Sequence, residues 1–124
     1  MNYWIQKHDY SSFEVKDASL NDVVEIFESF DWEMELQSYQ ANNNEKNCPA
    51  GIGINLHGCL LHICPIDKDI VFFNFHHRYE DKLFGMFSRA KEDIHYVAKF
   101  PSTKFRVLVG LFESRKFNDI LAIN

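Results

Sequence analysis

Residues 51–77, GIGINLHGCLLHICPIDKDIVFFNFHH, decide the architecture. In Gly51–Leu56 the residues Ile52, Ile54 and Leu56 fall on alternate positions. That is the period-two pattern of a strand with one buried side. His57-Gly58 follows as a tight turn, where glycine supplies a positive φ if the turn needs one. Cys59–Cys64 returns as a strand, Pro65 to Asp69 makes a second turn, and Ile70–His77 forms a third strand. The third strand is apolar on both sides, with Ile70 and Phe72 on one and Val71, Phe73 and Phe75 on the other. Such a strand is central and covered twice, or covered once and buried against another subunit. The block therefore predicts a three-stranded antiparallel meander. Its Gly51-Ile52-Gly53 lacks the third glycine and the following helix of a dinucleotide-binding turn. It reads instead as a strand start where another group approaches the backbone closely.

Upstream, Trp4–His8 and Phe13–Lys16 read as short strands joined by Asp9-Tyr10-Ser11-Ser12. A helix over about 19–30 follows. Ser19 suits its N-cap, and Asp22 stands where a capping box needs an acid. Leu20, Val23, Val24, Phe27 and Phe30 make one apolar stripe at helical spacing. Trp32–Tyr39 then switches to alternation, with Trp32, Met34 and Leu36 opposite Glu33, Glu35 and Gln37, which predicts a half-buried strand with an acidic outer side. Ala41–Lys46 is polar and loop-like, running on to Pro49.

Downstream, residues 80–93 suit either a short helix or an irregular segment, and Gly85 weakens the helix by about 1 kcal/mol. Ile94–Phe100 and Phe105–Phe112 read as strands, and a helix over about 114–122 closes the chain with Phe117, Ile120 and Leu121 on its apolar side. The expected fold is α+β: a mainly antiparallel sheet of roughly five to seven strands with the two helices as cover. Val24, Phe27, Leu61, Ile63, Phe73, Phe75, Val107 and Val109 are the expected core.

At 124 residues, 46% apolar and 25% charged, the chain has the size and composition of one globular domain, 1–124. Twelve phenylalanines point to an aromatic-rich core. No apolar run approaches the roughly 20 residues that span a bilayer, and the first residues lack a signal-peptide pattern. A cytoplasmic protein without membrane contact is expected. Three cysteines, Cys48, Cys59 and Cys64, fit free thiols better than a disulfide framework.

Charge is unevenly placed. Residues 1–50 carry a net −7 and residues 51–124 a net +2. Between Asp17 and Glu35 lie seven acids (Asp17, Asp22, Glu25, Glu28, Asp31, Glu33, Glu35) and no Lys or Arg. Surface helices ordinarily mix signs, because like charges a turn apart repel. A run that tolerates this repulsion suits a basic protein partner, steered by charge, and argues against nucleic acid. Asp22, Glu25, Glu28, Glu33 and Glu35 are the expected partner-binding residues.

The groups capable of chemistry also have plainer roles. His62, Cys64 and His76 or His77 can form a cross-strand metal site if the meander registers them, with His57 and Cys59 nearby; otherwise the cysteines are small core residues and the histidines flank strands. Cys48, in a loop, has no base that the sequence places beside it. Glu33 and Glu35 share a strand side at a spacing seen in glycoside chemistry, yet no apolar pocket is evident to raise one pKa. No cofactor is expected and no reaction is specified. In its small size, acidity and want of a catalytic signature the chain resembles bacterial immunity proteins, which neutralise a cognate toxin. That resemblance implies a cytoplasmic inhibitor of a basic toxin. The alternatives are a small metal-binding protein or enzyme built on His62, Cys64, His76 and His77, and a homo-oligomeric structural or adaptor domain, such as a homodimer, that buries its extra aromatic surface.

Overall fold

The computed structural model describes residues 1–41, 48–56, 58–67, 69–83 and 87–122, with side chains described at all of these except 77–83 and 87–96. In chain order the elements are β1 (Asn2–Gln6), β2 (Ser12–Val15), α1 (Leu20–Ser29), α2 (Trp32–Ala41), β3 (Gly51–Leu56), β4 (Cys59–Pro65), β5 (Ile70–Leu83), β6 (Phe87–Pro101), a 3-10 turn (Ser102–Lys104), α3 (Phe105–Glu113) and α4 (Phe117–Leu121). The strands form one six-stranded antiparallel sheet in the order β2-β1-β3-β4-β5-β6. The fold is α+β, and the 51–77 meander is its centre, with Ile54 opposite Leu61 and Leu61 opposite Phe75.

One side of the sheet is dry. Ile5, Ile52, Ile54, Leu61, Ile63, Val71, Phe73, Phe75 and Phe100 are buried there, together with Val23, Val24 and Phe27 of α1 and Phe105, Leu108, Val109 and Phe112 of α3. Aromatic rings join the layers: Phe27 stacks on Phe105 at 3.8 Å, and Phe75 meets Phe112 edge-on at 6.2 Å and Phe117 of α4 at 5.2 Å. The other side of the sheet alternates with it and stays half-buried at Trp4, Leu60, His62, Cys64, Phe72, Asn74 and His76.

Two expected strands are helices. Trp32–Tyr39 lies in α2, because its residues are good helix formers with no β-branched member, and Asp31 accepts the Met34 amide at 3.0 Å as an N-cap does. Trp32 then reaches back, donating its indole N–H to the Phe27 carbonyl at 2.7 Å. Phe105–Phe112 lies in α3, where the buried residues Phe105, Leu108, Val109 and Phe112 follow i, i+3, i+4, i+7 spacing. Val107 consequently points away from the core and is 55% exposed, correcting its expected burial. The closing helix is shorter than expected, because Ser114 and Arg115 form a turn before α4 and Arg115 has φ 58. Of residues 80–93, those described belong to the paired strands β5 and β6 rather than to a helix, with Glu80 opposite Lys91. Most of the expected 41–46 loop, and His57 of the first turn, lie outside the described residues.

Candidate functional site

The acidic run begins where β2 hands over to α1. Asp17 takes the left-handed conformation at φ 57, one that Asp tolerates better than most residues. Its amide donates to Asn2 Oδ1 at 3.0 Å, and the Ala18 amide donates to the Met1 carbonyl at 2.7 Å, so the turn is fastened to β1. The helix then starts on a full capping box: the Asp22 amide donates to Ser19 Oγ at 3.1 Å and the Ser19 amide to Asp22 Oδ2 at 2.9 Å. Those bonds from Ser19 hold the Asp22 carboxyl below the usual carboxylate range.

Between this turn, β1 and α1 runs an open groove of about 310 Å³, lined by Tyr3, Val15, Lys16, Asp17, Ala18, Asp22, Glu25, Ile26 and Ser29. Its lining includes the apolar Val15, Ala18 and Ile26 together with three carboxylates and one ammonium. Tyr3 is 6% exposed. Burial and the charge of Asp22 push its hydroxyl pKa up, and that hydroxyl makes no hydrogen bond among the described residues.

The five expected partner-binding residues separate into two environments. Asp22, Glu25, Glu28 and Glu33 are exposed. Asp22 and Glu25 line the groove, whereas Glu28 lies two turns along α1 from Asn21, whose Oδ1 accepts from Arg106 at 3.1 Å. Glu35 is 2% exposed, and its Oε2 accepts both the His8 amide at 2.9 Å and His8 Nδ1. The expected sharing of one outer side by Glu33 and Glu35 fails because residues two apart on a helix point to different sides. Glu35 is therefore no surface residue. It ties α2 to the end of β1.

Sequence reasoning missed Tyr3, Asp17 and His8. Asp17 stood in the acidic run. Tyr3 lay one residue outside the expected first strand, and nothing in the sequence pairs His8 with a glutamate 27 positions on.

His62 and Cys64 do come together, on the half-buried side of β4, with Cys64 Sγ 3.8 Å from His62 Nδ1. Burial lowers the His62 pKa and raises that of Cys64 to about 11. His76 is displaced along the sheet, opposite Leu60 rather than His62, and the side chain of His77 lies outside the described residues. Among the described residues no three His, Cys, Asp or Glu side chains are grouped to hold a metal ion. Cys48 donates its thiol to the Lys7 carbonyl at 3.3 Å, and Cys59 is buried. No helix among the described residues is long and apolar enough to cross a membrane.

Compared with known proteins, the chain matches no family model, no curated protein and no solved structure.

Proposed function

We propose that this chain is a binding protein that offers the outer side of α1 and the start of α2 to a basic protein partner, as an immunity protein does to a basic toxin. The observation that carries the reading is the fate of the acidic run. Six of its seven members, Asp17, Asp22, Glu25, Glu28, Asp31 and Glu33, are exposed, and none is ion-paired with a described Lys or Arg. Each exposed charge contributes little alone, but together they raise the encounter rate with a positive surface. The test is association with the product of the adjacent gene. Replacing Glu25 and Glu28 with Lys should weaken binding at least tenfold, and the wild-type association should slow as salt rises. Salt-independent binding that survives the reversal rejects the reading.

A second reading is supported by the uncovered side of the sheet. Ile70 and Val97 are 40% and 43% exposed there, flanking the half-buried Phe72. A homodimer through this side would bury them. Sedimentation of the wild type and of Phe72→Glu distinguishes it: a dimer that Phe72→Glu dissociates favours this reading.

A further inference from the structure

We infer that the groove between β1, β2 and α1 is the pocket for one cationic side chain, arginine or lysine, presented by the basic partner; this rests on the acidic-face reading above and gives it a location. Four features converge. The groove has room for a long side chain, at about 310 Å³. The apolar members of its lining, Val15, Ala18 and Ile26, suit the aliphatic stem of such a residue, which buries its methylenes while the head seeks polar partners. The same lining sets Asp17, Asp22 and Glu25 against a single base, Lys16.

The fourth feature is the Tyr3 hydroxyl. It belongs to a buried residue, lines the groove, and has no hydrogen-bond partner among the described residues. Tyr3 lines this open groove, and with no partner among the described residues its hydroxyl is left to accept from a donor that enters it. A guanidinium or ammonium is donor only, and would give the phenol oxygen a hydrogen bond while facing the carboxylates. The Ser19 amide holds Asp22 Oδ2, which fixes the carboxylate beside the groove.

The probe is a blocked Gly-Arg-Gly peptide, with lysine and citrulline counterparts, titrated into the isotope-labelled protein by NMR. The arginine or lysine peptide should shift the amides of Tyr3, Val15, Ala18, Asp22 and Ile26 saturably, and the uncharged citrulline peptide should not. Tyr3→Phe should weaken the cationic peptide about fivefold, the worth of one hydrogen bond, without lowering the melting temperature. Asp17→Asn with Glu25→Gln, which leaves the capping box intact, should weaken it at least tenfold. Shifts confined to Glu28, Asp31 and Glu33 overturn the pocket and leave the acidic-face reading standing. Equal binding of the citrulline peptide, no saturable shift at tens of millimolar peptide, or full affinity in Tyr3→Phe also overturns the pocket. The acidic-face reading is judged separately, by its own charge-reversal experiment.

Discussion

The two sides of the central sheet, built from the same alternating strands, are unlike. On β3 the inward residues are Ile52 and Ile54, completely buried against the helices, and the outward ones are Gly51 and Gly53. Both glycines are also buried, because other groups lie directly on them. A Cβ at Gly53 would overlap the Trp4 indole, and one at Gly51 would stand 2.8 Å from the Ile63 carbonyl and 2.9 Å from Cys64 Sγ. On β4 and β5 the inward residues Leu61, Ile63, Phe73 and Phe75 are wholly buried, while outward lie His62, Cys64, Phe72, Asn74 and His76. The contrast locates the stability of the domain. A dry apolar side supplies the hydrophobic driving force. The half-buried side tolerates ionisable groups but suppresses their charged forms. The acids of α1 belong to neither side of the sheet and stay in water.

Truncating one of two adjacent phenylalanines tests that division most severely. Phe73 is fully buried and meets Phe100 edge-on at 5.0 Å. Phe73→Ala should lose about 3–5 kcal/mol in urea unfolding. Phe72→Ala, one residue away on the half-buried side, should lose less than about half of that. Equal losses would mean that the second side is as well covered as the first.

The acidic run contains a similar contrast. Glu35→Ala removes both bonds to His8 and should cost about 2–3 kcal/mol, the range for hydrogen bonds to a charged group. Glu33→Ala, on the exposed side of the same helix, should stay within about 0.5 kcal/mol. If both variants are neutral in thermal unfolding, α2 is not held to β1 through Glu35.

Gly53→Ala sharpens the account of the glycine side. Displacing the Trp4 indole should cost about 1–3 kcal/mol, the usual penalty for overpacking. Trp4→Ala made together with it should absorb most of that cost, giving a coupling that a double-mutant cycle reads directly. Additive losses would show that Trp4 is not what Gly53 accommodates.

These contrasts also show what the sequence could express. The meander was legible because β-strand alternation, a Gly turn and apolar density agree over 51–77. The Gly-Ile-Gly reading as a place of close approach was legible too, although the approaching group, Trp4, was not. Ser19 and Asp22 announced α1 through local chemistry alone. The failures lay where period and propensity disagree. Trp32–Tyr39 alternates like a strand, yet Trp32, Glu35, Leu36 and Tyr39 also fall at i, i+3, i+4, i+7, and a glutamate in that stripe disguised it as polar. Phe105–Phe112 is so apolar that either period fits, and tertiary packing of Phe105 on Phe27 decided it. At the candidate site, the exposed acids could be named from charge spacing. The Tyr3 hydroxyl and the His8–Glu35 pair could not, because both depend on contacts between residues distant in the chain.

The smallest expected effect is a pH dependence that belongs to the half-buried side. Burial depresses the His62 pKa below its ordinary 6.5, because the imidazolium is poorly solvated there. The unfolded chain then takes up a proton at about pH 6.5 that the folded chain refuses until the pH is lower. The contribution of His62 is fully present above that pH and is lost as the pH falls through the depressed folded value. Cys64 gives the mirror image in alkali. Its thiol, raised from 9.0 to about 11, stays protonated while the unfolded thiol ionises, so stability is lost as the pH rises across that interval. His62→Gln should therefore flatten the fall in melting temperature below about pH 6.5 and leave the alkaline limb unchanged. Cys64→Ala should do the reverse. Wild type and His62→Gln curves that run parallel through the acid range would place His62 in water, and with it the second side of the sheet.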